Sequence, residues 1–319
     1  MHIPDGFLSA RVAGAAAAVS LTGLGVALRQ VRLHLPQRRV PLLGLAAAFV
    51  FAAQMLNFPV AAGTSGHLLG AVLTAVLLGP NAAIVVLSAV LLVQCFLFAD
   101  GGVLALGANV FNMALVGGAG GYAVFRAVQR FAPGLRGTVL ASTVAAWCSI
   151  VLASIACAGQ LAASGTAPWA VVFPAMAGVH MLIGAGEAVI TALVLVAVAR
   201  LRPELLQRTP APLVQRYGEF AAYGVLIALG LTVFVAPVAS SMPDGLEKVA
   251  AFLGFEARAA IHPVISVPFT DYRIPALGAS PQATAAAGCV GTLAAFGLAA
   301  LLSRTLVPRE PRRTANSDV

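Results

Sequence analysis

The sequence predicts an all-α polytopic membrane protein with about nine transmembrane helices. Three observations carry that prediction. Of the 319 residues, 60% are hydrophobic and only 9% charged, against roughly 25% charged in soluble domains. The apolar residues fall into long runs, most of them near the ~20 residues a helix needs to cross the bilayer core. The 19 Lys and Arg sit in short clusters between those runs, as loop charges that orient a membrane protein do. The net charge of +8 therefore points to a lipid bilayer and not to a nucleic-acid partner.

Taken in order, the spans fall at about 7–28, 40–58, 67–80, 82–98, 103–126, 138–162, 169–199, 218–238 and 283–303. The first lacks a basic leader, since Arg29, Arg32, Arg38 and Arg39 follow it. It reads as a retained helix and not as a cleaved signal. The third is short and ends at Gly79-Pro80-Asn81, and the seventh is long and carries Pro174. With the N-terminus outside, 15 basic residues lie on the cytoplasmic side, against Arg11, Lys248, Arg258 and Arg273 outside. That asymmetry predicts an outer N-terminus, a cytoplasmic C-terminus and an odd number of spans.

An Arg- and Pro-rich stretch divides the chain. Residues 1–202 are expected to form a seven-helix membrane domain, 203–217 a cytoplasmic linker, 218–307 a two-helix accessory module, and 308–319 a polar disordered tail. No inverted repeat is visible. The module's outer loop opens with Asp244-Gly245-Leu246-Glu247, which has capping-box spacing. Leu246, Val249, Ala250 and Leu253 then recur at helical intervals, so a short amphipathic helix is predicted. It would lie on the membrane surface or on the mouth of the core domain. Pro263, Pro268 and Pro275 are expected to keep the remainder of the loop extended.

Several chemistries are excluded. Cys95, Cys148, Cys157 and Cys289 lie in apolar runs with no C-x-x-C pair, and read as small buried hydrophobes. There is no H-E-x-x-H, and the one lysine, Lys248, is in no Walker A motif. The chain is thus not expected to be an enzyme or to hydrolyse ATP.

The N-terminus offers a different chemistry. In Met1-His2-Ile3-Pro4-Asp5-Gly6 a free α-amine, the His2 amide nitrogen and the His2 ring nitrogen can close a five- and a six-membered chelate ring on one ion. Planar nitrogen donors suit Ni(II), Cu(II) or, less ideally, Co(II). Pro4 has no N–H and turns the chain away after two donor residues. His2 is bulky, so Met1 is expected to escape removal. The competing reading is a frayed terminus. A second histidine, His67, stands in the loop from Asn57 to Gly70, flanked by Gly63 and Gly66, on the same expected side. It is either a cap at the third span or the fourth nitrogen donor.

Other polar residues carry paired readings. Asn57, Ser65, Asp100 and Asn109 are candidates to hold the two imidazoles in place by hydrogen bonds, as metal-ligating histidines require. Asn109 and Asn112 lie three apart on one helical face, and the alternative for both is interhelical bonding. His180 and Glu187 sit seven apart on one face of the seventh run, an intramembrane polar pair. Glu187 is the one carboxylate at hydrocarbon depth, which marks it for a proton relay, a coupling role, or an internal bond that fixes helix packing. His262, in the outer loop, is a lesser candidate for passing metal inward.

The motifs resemble a known family. Met1 to Gly6, Asn57-Phe58-Pro59-Val60, Gly63-Thr64-Ser65-Gly66-His67-Leu68-Leu69-Gly70, and Ala99-Asp100-Gly101-Gly102 with Gly107-Ala108-Asn109 are similar to the substrate-capture component of cobalt/nickel energy-coupling-factor transporters, the CbiM/NikM family. The similarity covers about residues 1–200. Pro243-Asp244-Gly245-Leu246-Glu247 resembles the accessory module fused to some members. The resemblance implies a seven-span core and a metal held by four nitrogens: the Met1 amine, the amide and imidazole of His2, and the imidazole of His67. It implies Co(II) or Ni(II) as cargo, with no permanent cofactor. It also implies separate membrane-coupling and ATPase chains in a bacterial or archaeal cytoplasmic membrane. A stand-alone metal carrier or channel is the alternative, although a carrier would be expected to show several midplane carboxylates. A membrane enzyme using His67 and His180 lacks any nucleophile–base arrangement.

Overall fold

Helices dominate the computed structural model of the chain, which describes residues 1–61, 63–206, 217–259 and 264–306. Most of the 203–217 linker, His262 and the 308–319 tail lie outside the described residues. Ser9 caps α1 (Ala10–His34) by accepting from the Val12 N–H, and the helix ends just before Pro36. It is followed by α2 (Val40–Gln54), α3 (Ala71–Leu78), α4 (Pro80–Phe98), α5 (Leu106–Asn109), a π-helical stretch (Val110–Gly120), and α6 (Gly121–Gln129). The chain then forms α7 (Gly134–Ala163), α8 (Trp169–Leu201), α9 (Tyr217–Gly230), α10 (Gly245–Leu253) and α11 (Pro281–Leu306). Six described helical stretches are long and apolar enough to cross a membrane: α1, α4, α7, α8, Tyr217–Val238 and Pro281–Arg304.

Every expected span contains helix, but the third departs most from expectation. Residues 67–70 are not helical. A two-residue strand β1 (Phe58–Pro59) pairs antiparallel with β2 (Ser65–Gly66), and the chain continues extended until Gly70. There φ is +71°, a conformation only glycine adopts without strain. α3 therefore has only eight residues, and the segment before it carries His67 into the bundle as open backbone. Such backbone is tolerated inside a membrane protein only where protein groups satisfy it.

The C-terminal module is packed onto the core. Both α9 and α11 lie against α2, and glycines set the spacing. A Cβ at Gly44 would stand 2.8 Å from Phe296, and one at Gly291 only 2.0 Å from Phe51. Small residues at such crossings let helices approach closely.

The predicted capping box is present: Asp244 accepts from Glu247 N–H while Glu247 accepts from Asp244 N–H, and Gly254 at φ +76° ends the helix. Of the two places expected for α10, the structure has the core domain. Leu246, Val249 and Ala250 are buried with Ile3, Phe7 and Met176. Pro263 lies outside the described residues, and the described remainder of the loop is not extended as expected. It folds into short 3-10 turns at Glu256–Arg258, Thr270–Tyr272 and Pro275–Leu277. Proline fixes φ near the helical value, so Pro275 starts a turn as readily as it extends a chain. Asp271 (φ 51°) and Tyr272 (φ 55°) are left-handed, and Tyr272 stacks on Phe98 at 4.8 Å.

Candidate metal centre

The N-terminal segment is not frayed. Ile3 is wholly buried and Phe7 nearly so. Asn109 grips Ile3 on both sides, its Oδ1 accepting from Ile3 N–H at 2.8 Å and its Nδ2 donating to Ile3 O at 3.1 Å. Gly102 N–H donates to the same carbonyl at 2.8 Å. Asp5 accepts from the N–H groups of Val103, Leu104 and Ala105 at 3.1, 2.8 and 3.3 Å, a carboxylate placed where a helix begins. Its approach is possible only because residue 102 is glycine: a Cβ there would fall 2.1 Å from Asp5 Oδ1. The nine residues before α1 are thereby anchored through the Ile3 backbone and the Asp5 carboxylate.

The loop carrying His67 is held from three sides. Ser65 donates from N to Pro243 O at 2.9 Å and from Oγ to Met242 O at 2.7 Å. Gln54 Nε2 donates to Leu69 O at 3.0 Å. Glu187 accepts from Leu69 N–H at 2.6 Å and Gly70 N–H at 2.9 Å. That places a carboxylate at the start of α3, where helix N–H groups lack internal partners.

These supports bring the two histidines and the terminus together. The Met1 nitrogen lies 3.3 Å from His67 Nε2, and the His2 and His67 rings stack with centroids 5.3 Å apart. His67 Nδ1 is 3.1 Å from Leu68 O. That bond assigns the proton to Nδ1 and turns the Nε2 lone pair toward Met1. The Met1 ammonium is ion-paired to Asp244, and both groups are largely shielded, at 4% and 16% exposure. His2 Nδ1 stands 3.2 Å from Asp100 Oδ1 and its Nε2 3.1 Å from Gln94 Oε1. Tyr272 donates to Asp100, and Gln94 Nε2 donates to Tyr272 at 3.1 Å and to Gln54 Oε1 at 2.8 Å. Ala99, at φ 57° after α4, turns the chain so that Asp100 reaches His2.

Electrostatics follows burial first. Burial and then the adjacent ammonium hold the His67 imidazole down to about 3, so it is a neutral donor at any physiological pH. For the amine, burial favours the neutral form but is outweighed by Asp244, with smaller contributions from Asp100 and Glu247, and its pKa is raised above 8.0. Asp244 is well below the usual carboxylate range, because the ammonium overcomes the burial that opposes its charge. His2 is lowered, mainly by burial, although both of its ring nitrogens face oxygen atoms that favour a protonated ring.

The other expected residues divide. Asp100 and Asn109 bear on His2 and its neighbour Ile3 directly. Ser65 instead ties the loop to the module, and Asn57 does so through its carbonyl, which accepts from Ser240 N–H at 2.8 Å. Asn57 Oδ1 has no partner among the described residues. Asn112 exchanges two amide bonds with Gln160 at 2.8 and 3.0 Å, joining helices. The His180–Glu187 pair expected from spacing is not joined: His180 Nδ1 bonds Met176 O at 2.8 Å while Glu187 holds Leu69 and Gly70. Gln54 and Gln94 were missed, although a polar residue inside an apolar run is the same signal that singled out Asn109. Asp244 was legible as a cap but not as a partner of Met1, and Tyr272 gave no local signal; they are brought in from 243 and 172 residues away.

Among the described residues, no three His, Cys, Asp or Glu side chains gather into an ion site. An ion bound here must therefore draw on main-chain nitrogen as well as imidazole. The amine, the His2 amide and the two rings are a nitrogen set of the kind that suits Ni(II) or Co(II).

Comparison with known proteins shows the family. Residues 2–205 match the model of the CbiM family, the cobalt uptake substrate-specific transmembrane region. The chain belongs to this family. It is thus a multi-pass membrane transport component of the cobalt and nickel type, in a family of transporters and not of enzymes. Residues 218–307 match the PDGLE domain. A relative from Archaeoglobus fulgidus that carries the name of a fused nickel transport protein is 38% identical, over 95% of this chain and 98% of its own. The fused nickel transport protein NikMN of Rhodobacter capsulatus is 36% identical over 72% of this chain and 71% of its own. The cobalt transport protein CbiM of Geobacter sulfurreducens is 31% identical over 65% and 62%. A crystal structure of a transition metal transporter superposes with a TM-score of 0.58 at 34% identity, covering 63% of this chain and 93% of that one. A truncated transition metal transporter gives 0.57 at 35% identity, over 63% and 99%.

Proposed function

We propose that this CbiM-family chain is the substrate-capture component of an energy-coupling-factor importer, taking Co(II) or Ni(II) from the outer face of a bacterial or archaeal cytoplasmic membrane. The observation that carries the reading is the Met1 nitrogen 3.3 Å from the lone-pair nitrogen of His67. Two nitrogens at right angles on an ion with bonds of ~2.0–2.1 Å stand about 2.9 Å apart, so a small closure brings both into one coordination sphere. The His2 amide and ring supply the other two positions, with the ring turning Nδ1 from Asp100 to the ion. The ion would displace one proton from the amine and one from the His2 amide, both passing to solvent, as Asp244 lets go of the amine.

The proposal includes nine spans, with the N-terminus outside. It takes residues 1–202 as the capture domain, 203–217 as a cytoplasmic linker, 218–307 as the accessory module and 308–319 as a tail. A membrane-coupling protein and ATPase subunits supply the energy, because this chain has no Walker A motif. The stand-alone carrier is disfavoured, since both oxygens of Glu187 are occupied by backbone N–H groups and are not free to carry ions. The fused architecture is shared with relatives named for nickel transport, which favours Ni(II).

Calorimetric titration with Ni(II) and Co(II) tests the centre. His67→Ala and a form with a retained N-terminal tag should both lose tight binding while staying folded. Native affinity in the tagged protein refutes the amine as a ligand.

A further inference from the structure

His180 is held in the way His67 is held. Its Nδ1 donates to the Met176 carbonyl at 2.8 Å, which leaves the lone pair on Nε2. That atom is buried and bonds to nothing among the described residues. It faces Gly245, where a Cβ would stand 2.8 Å from it. Beside it lies a cavity of about 10 Å³, bounded by Met1, Gly66, His67, His180, Asp244 and Gly245 among others, space for about one water. Met1, His67, His180 and Asp244 thus line one small space, shared with the apolar Leu69, Ile150 and Ile183. A ring nitrogen bonded to a backbone carbonyl, with the other nitrogen bare, is how metal-ligating histidines are fixed.

The placement is directional. His180 is about one turn along α8 from Ile183, which packs on Gly66, and about two turns from Glu187, which holds Leu69 and Gly70. It lies toward the Trp169 end of the helix, beside the start of α10.

We propose that His180 Nε2 is a loading ligand: with the Asp244 carboxylate it binds the incoming Ni(II) or Co(II), stripped of most of its water, and passes it to the amine, His2 and His67. The inference rests on the four-nitrogen reading above. In the transfer the metal–Nε2 bond of His180 breaks as the amine, its proton lost to solvent, forms a new metal–nitrogen bond; the charge on the ion does not change. Two side-chain ligands make a weak station, and a station that must release its ion has to be weak. Gly245 acquires a reason in the same arrangement, since any side chain there covers Nε2.

Stopped-flow mixing of NiCl₂ or CoCl₂ with the full-length protein tests the proposal. In His180→Gln the association rate should fall tenfold or more, with dissociation slowed equally and the equilibrium constant within about threefold of native. Gly245→Ala, which keeps the imidazole but covers it, should slow association in the same way. Native association in either folded variant overturns the proposal, as does an equilibrium loss as large as the kinetic one, which marks a permanent ligand or a packing role. If His180→Gln fails to fold, Gly245→Ala alone decides. Failure of the underlying reading is separate: it appears as tight equilibrium binding retained by His67→Ala or by the tagged terminus.

Discussion

Replacing Glu187 removes the support beneath the His67 loop, and the structure sets the size of the effect. The carboxylate is fully buried and is the acceptor for two N–H groups, Leu69 at 2.6 Å and Gly70 at 2.9 Å. A buried N–H left without an acceptor costs about 1–3 kcal/mol. Glu187→Ala orphans both, for about 2–6 kcal/mol before any loss of packing, a large part of the ~5–15 kcal/mol that holds a domain together. Glu187→Gln is isosteric and keeps one accepting oxygen, but sets its NH₂ against the second N–H; about half that loss is expected. Thermal unfolding of the detergent-solubilised protein, with Ni(II) calorimetry alongside, should order both stability and affinity as native, Gln, then Ala. Affinity falls because His67 is two residues from Leu69. Native stability and affinity in Glu187→Gln would refute the idea that these hydrogen bonds position the loop. A proton-relay residue would lose transport in the Gln variant without losing binding.

Three further outcomes follow from named contacts. The Met1–Asp244 ion pair has a raised amine and a depressed carboxylate. Its stabilisation is complete above the ordinary Asp value of 3.8 and below the ordinary amine value of 8.0. It is lost as pH rises through the raised amine pKa, and as pH falls through the depressed Asp244 pKa. Hydrogen exchange in α10 should accordingly quicken above pH 8 in the native protein, beyond the intrinsic rate increase, and show no such step in Asp244→Asn. Gly102→Ala forces a Cβ to 2.1 Å from Asp5 Oδ1, and overpacking of this kind costs about 1–3 kcal/mol. The unfolding midpoint should drop and metal binding with it, whereas Gly14→Ala, with nothing within 4 Å of the new Cβ, should change neither. Tyr272→Phe takes the donor from Asp100 and a partner from Gln94, a loss of about 1–3 kcal/mol, read as a lower unfolding midpoint and weaker Ni(II) binding.

The architecture was largely legible in the sequence because membrane helices are specified by composition over ~20 residues, a local property that needs no knowledge of neighbours. The same holds for the cap of α10, where Asp244 and Glu247 satisfy each other's N–H groups within one turn. The third run misled for a physical reason. Residues 67–70 are as apolar as a helix, but the N–H groups of Leu69 and Gly70 are taken by Glu187 from α8, and hydropathy does not register which partner a backbone group finds. The histidines were legible too, since a His beside a chain terminus has a chelating geometry fixed by covalent bonds. Sequence alone does not show what surrounds them. Tyr272 and Asp244 reach the centre from the accessory module, and Gln54, Gln94 and Asp5 join it from separate segments. His180 has its lone pair beside the same cavity as Met1 only because α8 passes the start of α10 at a glycine. Apolar periodicity is encoded residue by residue along the chain, whereas the direction of a buried lone pair depends on how helices far apart in sequence pack, and only the tertiary structure decides that.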